Sequence, residues 1–204
     1  MPKLYASVGA VALAAVLGWT SYAIVARRNS DPFAACRSGN VAGAEIGGHF
    51  ELVDETGQSV TDAQLFSKPA LVYFGFGACQ DVCPIDNARN VQAVDILTQN
   101  GFDVTPVFIT VDPLRDTPAA LTDYTDGIGE KLLGLTGTPD QIRTAAAAFK
   151  AYYQLPADTS GDYEVDHMTI TYLILPQTGF VDFFQRDASA QDIADRTGCF
   201  LKES

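Results

Sequence analysis

The sequence predicts an α/β domain that is preceded by one transmembrane helix. Strand-like apolar runs alternate with capped helical segments through the middle of the chain, which indicates a partly parallel sheet with helical crossovers. A hairpin followed by a helix closes this pattern. The transmembrane helix is predicted because the chain opens with a long uncharged run that stops at Arg27-Arg28.

The N-terminal run, Leu4 to Ala26, is rich in alanine, valine and leucine. Roughly 20 apolar residues suffice to cross a bilayer, so we predict a membrane anchor over residues 1–28. A cleaved signal peptide is the alternative, since Ser21-x-Ala23 offers a cleavage site, but the apolar region of a signal peptide is usually about 7–15 residues long. The basic charges on the two sides of the run balance, so the positive-inside rule leaves the orientation open.

The chain beyond this run is strongly acidic. Three of the 13 basic residues lie before Ser30, and none of the 25 acidic residues does. The remainder therefore carries ten basic against 25 acidic side chains, a formal net charge of −15. Such a surface repels nucleic acid and is not attracted to anionic lipid, so we predict no nucleic-acid partner. The charge either keeps the domain soluble or steers a basic partner.

Residues 29–45 are polar and rich in glycine and alanine, which is typical of a linker. The folded domain is predicted over residues 46–204. It opens with a predicted β-hairpin, in which Phe50–Val53 and Gln58–Val60 flank the turn Asp54–Gly57.

The stretch Leu71–Pro84, LVYFGFGACQDVCP, contains the candidate chemistry. Leu71–Phe76 is a short apolar and aromatic run, which indicates a buried strand. Two cysteines, Cys79 and Cys83, follow it, and a helix is predicted to begin at Pro84, because proline disfavours a helical conformation in the residue before it. Cys83 is then expected at the positive end of the helix dipole, a place that lowers the pKa of a thiol. A structural disulfide or a pair of core thiols is the alternative interpretation.

The later elements continue the alternation of strands and helices. Thr117-Pro118 and Thr138–Gln141 are helix-start signals, and the second is a capping box with proline at the first helical position. The helix from Pro84 is predicted to stop at Asn100-Gly101 and to have Ile85, Ala88, Val91, Val94 and Leu97 along one side. The other predicted elements are strands at Val104–Val111, Leu132–Leu135, Met168–Leu175 and Phe180–Phe184, a helix from Thr138 to about Tyr153, and a helix over Ser189–Thr197 that Gly198 closes. This order is that of a thioredoxin-like fold, with an N-terminal β-hairpin and with the helix–strand–helix passage from Thr117 to Tyr153 as an insertion.

Two thiolates in one loop can close around a soft metal ion, and thiolate ligands select Cu(I) or Zn(II). They can also form a disulfide with each other. A third ligand is needed to hold Cu(II) or to complete a zinc site, and the chain has two histidines. His167 lies where a polar loop enters a strand, so it is either a ligand or a structural residue, whereas His49 is predicted to be an ordinary surface residue. Met168 is expected to point to the opposite face of the strand, into the core.

Four blocks of sequence follow one another between Ile46 and Thr197. They are Val72–Phe76 before Cys79-x-x-x-Cys83-Pro84, Val111–Pro118, Leu133–Gly137, and Tyr163-x-Val-Asp-His167 running into Tyr172-Leu. In this order and spacing the chain resembles the Sco (SenC/PrrC) family, membrane-anchored copper proteins that serve assembly of the binuclear copper centre of cytochrome c oxidase. The Asp112–Pro118 part has no chemical role assigned from the sequence. A turn and a helix start explain it, with Arg115 paired to a carboxylate.

The resemblance implies a function and a set of site residues. Cys79, Cys83 and His167 match the family's copper ligands, which implies one copper ion, Cu(I) or Cu(II), bound by these three side chains. The resemblance also implies a metallochaperone that delivers copper to the copper-accepting subunit of cytochrome c oxidase, with another copper chaperone as the candidate donor. The domain is then expected on the periplasmic, or an equivalent oxidising, side of the membrane. The chain departs from the family at Gly77–Gln80, where Thr-His-Cys-Pro is frequent, without losing an expected ligand.

Cys36 and Cys199 remain once Cys79 and Cys83 are assigned to copper. A bridge between the two would tie the ends of the domain together and would need an oxidising compartment. Two unrelated free thiols are the alternative.

A thiol–disulfide oxidoreductase is the competing hypothesis for the function. Cys79 and Cys83 would then reduce the cysteines of a target protein before it is metallated, and His167 would tune the thiolate pKa or stay idle. A redox or copper sensor would use the same ligands, so the sequence does not separate it from the first two functions.

Overall fold

The computed structural model describes residues 13, 15–24, 32–37 and 46–204. Residues 15–24 are helical. Part of the predicted anchor, Leu4 to Ala26, and most of the predicted linker, residues 29–45, lie outside the described residues. Within the part of the chain that the structure describes, no helix combines the length and the apolar character that a membrane crossing needs.

Residues 46–204 contain nine strands and five helices. The strands are β1 (Glu51–Asp54), β2 (Ser59–Thr61), β3 (Ala70–Gly75), β4 (Thr105–Thr110), β5 (Leu133–Thr136), β6 (Tyr153–Gln154), β7 (Asp166–His167), β8 (Thr171–Leu175) and β9 (Gly179–Phe184). The helices are α1 (Asp62–Leu65), α2 (Val82–Gln99), α3 (Pro118–Ile128), α4 (Pro139–Phe149) and α5 (Ala190–Lys202). Seven strands form one sheet in the order β2-β1-β5-β4-β3-β8-β9, and β6 and β7 form a separate two-stranded ribbon.

The centre of the sheet is parallel and both of its sides are antiparallel. β4 pairs in parallel with β3 and with β5, and parallel neighbours need a crossover connection, which α2 and α3 provide. β1 and β2 form the predicted N-terminal hairpin, with Leu52 opposite Val60. β8 and β9 form the predicted closing hairpin, and the predicted helix–strand–helix passage is present as α3, β5 and α4.

Two apolar clusters pack against the sheet, and β3 contributes to both of them. Val72 packs in the cluster that contains Ile142 of α4, whereas Leu71 packs in the cluster that contains Leu97 of α2 and Ile193 of α5. Neighbouring residues of a strand reach different clusters because their side chains point to opposite faces. All six residues of β3 are buried, so the predicted central strand is confirmed.

The C-terminal helix is longer than predicted. We predicted a helix over Ser189–Thr197 that Gly198 closes, whereas α5 continues beyond this glycine to Lys202. Phe200 of the last turn is buried, and its ring lies 5.4 Å from the ring of Phe33, centroid to centroid. This packing outweighs the preference of glycine for the position that ends a helix.

A disulfide between Cys36 and Cys199 ties residues 32–37 to α5, with 5.6 Å between the two Cα atoms. The side chain of Arg37 strengthens this attachment, since its Nε donates to the carbonyl of Val181 at 3.2 Å. The sequence left two alternatives for Cys36 and Cys199, a bridge or two free thiols. The structure contains the bridge.

Two other predicted boundaries are wrong. The helix predicted from Thr138 to Tyr153 ends four residues earlier, because Lys150 adopts a left-handed backbone with φ of 51° that stops it. The predicted strand Met168–Leu175 is split into β7, which pairs with β6, and β8, which joins the main sheet. The split places His167 on the ribbon, opposite Tyr153, and not on the main sheet.

Candidate metal centre

The end of strand β3 lies against the second thiol. Gly75 is the last residue of β3, and a Cβ atom there would lie 2.8 Å from Sγ of Cys83 and 2.9 Å from the ring of Phe108. Only a residue without a side chain fits this gap. The glycine therefore lets α2 approach the sheet closely enough to hold Cys83 against β3.

Cys79 and Cys83 lie on the two sides of the start of α2. The N–H of Cys79 donates to the carbonyl of Phe76 at 3.2 Å, which closes the turn after β3. The N–H of Cys83 donates to Sγ of Cys79 at 3.3 Å, so the first thiol satisfies a backbone donor that the first turn of a helix leaves free. Both cysteines are buried, and neither is in a disulfide.

Helix α2 begins at Val82, two residues before the predicted start at Pro84. Cys83 is therefore helical although a proline follows it, which corrects the prediction. A proline in the first turn removes no intrahelical hydrogen bond, because the N–H groups of that turn have no partner within the helix. The hydrogen bond from Cys83 to the sulfur of Cys79 supports the earlier start.

Burial raises the pKa of the Cys83 thiol, and its hydrogen bond with Cys79 raises the pKa further. We predicted a lowered pKa from the position of Cys83 at the helix start. The side chain is 0 % exposed, so the loss of water around a thiolate outweighs the favourable helix dipole. Cys83 is therefore a protonated thiol at neutral pH and has to release its proton when it binds a metal.

His167 reaches the thiols from the ribbon of β6 and β7. Its Nε2 lies 3.4 Å from Sγ of Cys83, and its Nδ1 lies 3.0 Å from the carbonyl oxygen of Met168. Because a carbonyl only accepts hydrogen bonds, Nδ1 carries the hydrogen and Nε2 presents its lone pair to the thiol side. The rings of Phe76 and Tyr73 stand nearly perpendicular to the imidazole, at centroid distances of 5.7 Å and 6.2 Å.

The structure thus brings together the three side chains that the sequence singled out. The ligand atoms of Cys79, Cys83 and His167 all lie within 4.8 Å of one another. Bonds of about 2.0–2.3 Å from sulfur and nitrogen to one metal ion bring such donors to within about 4 Å of each other. Small side-chain movements are therefore enough to close the three ligands around one ion.

The two other candidate ligands have different partners. His49 is exposed, as predicted, and its Nδ1 lies 3.2 Å from Oδ2 of Asp62. Met168 is half-buried, not the core residue that we predicted, and its sulfur accepts the N–H of Tyr152 at 3.3 Å. The difference arises because Met168 lies between β7 and β8, where the alternation of strand faces is interrupted.

A buried polar network next to the site was not predicted from the sequence. Asp86 of α2 is 1 % exposed, accepts the hydroxyl of Tyr73 at 3.0 Å, and pairs with Arg89 at 3.1 Å and with Arg186 at 3.3 Å. Burial raises the pKa of Tyr73 above its ordinary value, so its hydroxyl stays a donor. The predicted apolar side of α2 is not buried at this end, since Ile85 is 58 % exposed. The spacing of Asp86 and Arg89, three residues apart on one helix face, is the local signal that could have indicated part of the network.

The fold and the site together define a class of protein. Thioredoxin-like proteins have a thiol pair between a central parallel strand and the start of a helix, with a hairpin and a helix closing the sheet. An imidazole beside the thiols gives this thioredoxin-like arrangement a group of three side chains that could hold a soft metal ion. The sequence model of the SCO1/SenC family matches residues 39–202. The chain therefore belongs to the SCO1/SenC family.

Individual relatives agree with this assignment. Protein SenC of Rhodobacter capsulatus is 49% identical over 200 residues, which cover 98% of this chain and 90% of SenC. The copper-bound crystal structure of Arabidopsis thaliana ScoI is 38% identical, with a TM-score of 0.71, over 78% of this chain and 97% of that chain. The copper-bound crystal structure of yeast Sco1 is 34% identical, with a TM-score of 0.74, over 78% of this chain and 90% of that chain. These similarities confirm the predicted thioredoxin-like α/β class.

Proposed function

We propose that this protein is a copper metallochaperone that binds one copper ion through Cys79, Cys83 and His167. The proposal rests on one observation, the convergence of the three ligand atoms to within 4.8 Å. Thiolates select Cu(I), and the imidazole supplies a third ligand that Cu(II) needs. The copper-bound structures of the plant and yeast relatives support copper over zinc as the cargo.

The copper is proposed to go to the binuclear copper site of cytochrome c oxidase, on its copper-accepting subunit. Release proceeds by ligand exchange: thiols of the acceptor give up their protons and bind the ion as thiolates, while the bonds from copper to Cys79, Cys83 and His167 break and the freed cysteines take up protons. The oxidation state of the copper does not change in this step. The net charge of −15 beyond Ser30 suits a basic docking surface on the acceptor, and another copper chaperone is the candidate donor.

We further propose that residues 1–28 anchor the protein in a membrane and that residues 29–45 link this anchor to the functional domain, residues 46–204. The uncharged run Leu4 to Ala26 supports the anchor. The bridge between Cys36 and Cys199 supports an oxidising compartment such as the periplasm, since structural disulfides are rare where thiols are kept reduced.

A thiol–disulfide oxidoreductase that reduces target cysteines before metallation is the second candidate. The short distance between the two thiols favours it, because the sulfurs of Cys79 and Cys83 need only a local movement to form a bridge. The buried state of Cys83 and the raised pKa of its thiol disfavour it as the attacking group, because the thiolate is the nucleophile. In an oxidoreductase, Cys79 would therefore have to be the thiol that attacks the disulfide of the target protein.

Replacement of His167 separates the two candidates. The full chain is expected to bind one Cu(II) ion with a sulfur-to-copper charge-transfer band. Changes beside a metal ligand alone cost about 10–100-fold in affinity, so His167→Ala, which removes a ligand, is expected to lose about 100-fold or more. An oxidoreductase would instead keep most of its rate of thiol exchange with a model disulfide in this variant.

The matched control is His49→Ala, which removes the other histidine of the chain. It is expected to bind Cu(II) as the unchanged protein does. Equal Cu(II) binding by the His167→Ala and His49→Ala variants would contradict the three-ligand proposal.

A further inference from the structure

The block Asp112–Pro118 has no role in the function proposed above, yet its two aspartates are buried beside the site. Asp112 is 0 % exposed and Asp116 is 4 % exposed. Arg115, between them, lines an open cavity together with Ala78 and Tyr163. Ala78 precedes Cys79, and Tyr163 lies four residues before His167. The block therefore lies where the two ligand-bearing segments meet.

Asp116 holds the segment that carries Cys79. Its Oδ2 accepts the N–H of Gly77 at 2.8 Å and the hydroxyl of Thr110 at 2.5 Å. A Cβ atom on Gly77 would lie 2.8 Å from Oδ1 of the same carboxyl group, so the backbone comes close because residue 77 is a glycine. The carboxyl group thus fixes the chain two residues before the first thiol.

Asp112 and Arg115 hold the segment that leads to His167. Oδ2 of Asp112 pairs with Nε of Arg115 at 2.5 Å, and its Oδ1 accepts the hydroxyl of Tyr163 at 2.8 Å. The guanidinium carbon of Arg115 lies 3.6 Å from the centre of the Tyr163 ring, so the flat cation stacks on this ring. The predicted pairing of Arg115 with a carboxylate is confirmed.

Arg115 also contacts the aromatic wall of the metal centre. Its guanidinium carbon lies 5.5 Å from the centre of the Phe76 ring. Phe76 in turn stands perpendicular to the ring of His167, and its carbonyl accepts the N–H of Cys79. A continuous series of contacts therefore runs from Tyr163 through Arg115 and Phe76 to His167.

We propose that Arg115, held in place by Asp112, is a positioning residue that sets the imidazole of His167 against the thiol pair. This inference rests on the function proposed above. Two thiolates hold Cu(I) without the histidine, whereas Cu(II) needs the third ligand. Loss of the stacked guanidinium therefore weakens Cu(II) binding and leaves Cu(I) binding nearly unchanged.

The test compares Arg115→Lys and Arg115→Gln in the full chain. Lysine keeps the charge beside Asp112 but has no flat face to stack between two rings, and glutamine also removes the charge. Both variants are expected to bind Cu(II) about tenfold or more weakly, with a shifted charge-transfer band, while their affinity for Cu(I) changes by about twofold or less.

The matched controls are Arg143→Lys and Arg143→Gln. Arg143 forms the same kind of pair with an aspartate three residues earlier, Asp140, at 2.6 Å, but its side chain is 67 % exposed and on α4. The Arg143 variants are expected to leave both copper affinities unchanged. Tyr163→Phe keeps the ring on which Arg115 stacks and removes the hydroxyl that Asp112 accepts, so it is expected to lose less Cu(II) affinity than Arg115→Lys does.

A second readout needs no copper. The imidazole resonances of His167 and the hydrogen exchange of the Gly77 amide are followed by NMR in the metal-free protein. Arg115→Lys is expected to shift the imidazole resonances, because the perpendicular Phe76 ring moves, while Gly77 stays protected by Asp116. Unchanged imidazole resonances would overturn the proposal.

The copper measurements have two further outcomes that overturn it. One is an Arg115→Lys variant with the Cu(II) affinity of the unchanged protein. The other is an equal loss of Cu(I) and Cu(II) affinity together with a lowered midpoint of thermal unfolding, which would give Arg115 a structural role only. If the unchanged protein binds no copper, the metallochaperone proposal fails, and the NMR readout still decides whether Arg115 positions His167.

Discussion

Among single residues, a glycine shapes the candidate metal centre as much as the three proposed ligands do. Gly75 leaves room for the sulfur of Cys83 on one side and for the ring of Phe108 on the other. The same close packing excludes water from Cys83, and burial raises the pKa of its thiol. The position of the Cys83 sulfur and the raised pKa of its thiol therefore have one cause, the close approach of α2 to β3.

Gly75→Ala tests this close approach. The added methyl group would lie 2.8 Å from Sγ of Cys83, and overpacking of a core costs about 1–3 kcal/mol. We expect a fall of this size in the free energy of unfolding, measured by urea denaturation, and a loss of Cu(I) affinity because the sulfur is displaced.

Gly127→Ala is the control, since a Cβ atom on Gly127 would have no atom within 4 Å. It is expected to keep the copper affinity of the unchanged protein. Full Cu(I) affinity in Gly75→Ala would contradict the account of the close approach.

At the scale of elements, α2 and α5 both depart from their predicted form because of tertiary contacts. The first half of α2 buries Asp86 and not Ile85, since Tyr73, Arg89 and Arg186 supply partners for the carboxylate. Helix α5 continues past Gly198 because the residues that follow are packed and cross-linked. In both helices, contacts with residues distant in sequence determine the structure: the buried face of α2 and the last residue of α5. The local sequence pattern does not predict either of them.

Gly198→Ala tests the interior position of this glycine in α5. A Cβ atom there would lie 3.7 Å from the ring of Phe102 and 3.8 Å from Leu97, which are ordinary van der Waals contacts. Glycine inside a helix is less favourable than alanine by about 0.5–1 kcal/mol, so the substitution is expected to raise the free energy of unfolding by this amount.

Gly101→Ala is the comparison for this measurement. Gly101 has a φ of +85°, which strains an alanine, so this variant is expected to be less stable than the unchanged protein. A less stable Gly198→Ala protein would contradict the helical position of Gly198.

At the scale of the whole molecule, the Cys36–Cys199 bridge joins residues that are 163 positions apart. It closes a loop that contains the complete sheet, and the segment 32–37 is thereby held on α5. In the chain-entropy model, closing so long a loop contributes on the order of 4 kcal/mol by restricting the unfolded chain. The bridge is chemically separate from the site, because Cys79 and Cys83 stay free thiols.

Removal of the bridge by the double change Cys36→Ser and Cys199→Ser is expected to lower the free energy of unfolding by about 2–5 kcal/mol. Urea denaturation measures the loss. A reductant is expected to lower the stability of the unchanged protein by a similar amount and to leave the double variant unaffected. Equal stability of the two proteins under oxidising conditions would contradict a stabilising role for the bridge.

Local sequence signals predicted most of this fold and the thiol pair of the candidate site, whereas the family resemblance implied the place of His167 in it. The capping box at Thr138 is present with Gln141 as its partner, and the run Leu71–Phe76 gives the buried strand β3. The spacing of Cys79 and Cys83 predicted one loop that holds both thiols. These features depend on residues a few positions apart, which a sequence displays directly.

The features that escaped prediction depend on contacts between distant residues. The polar face of α2 needs Tyr73 and Arg186, and the raised pKa of the Cys83 thiol needs the burial of this side chain against β3. The break between β7 and β8 needs the pairing of His167 with Tyr153. A local sequence pattern does not identify these distant partners.

X-ray absorption at the copper edge, on the full chain loaded with one equivalent of Cu(II), tests most directly whether Cys79, Cys83 and His167 bind the ion. We expect two sulfur ligands and at least one imidazole nitrogen, and we expect His167→Ala to remove this nitrogen and His49→Ala to keep it. A spectrum without sulfur ligands, or an imidazole signal that survives in His167→Ala, would contradict the account.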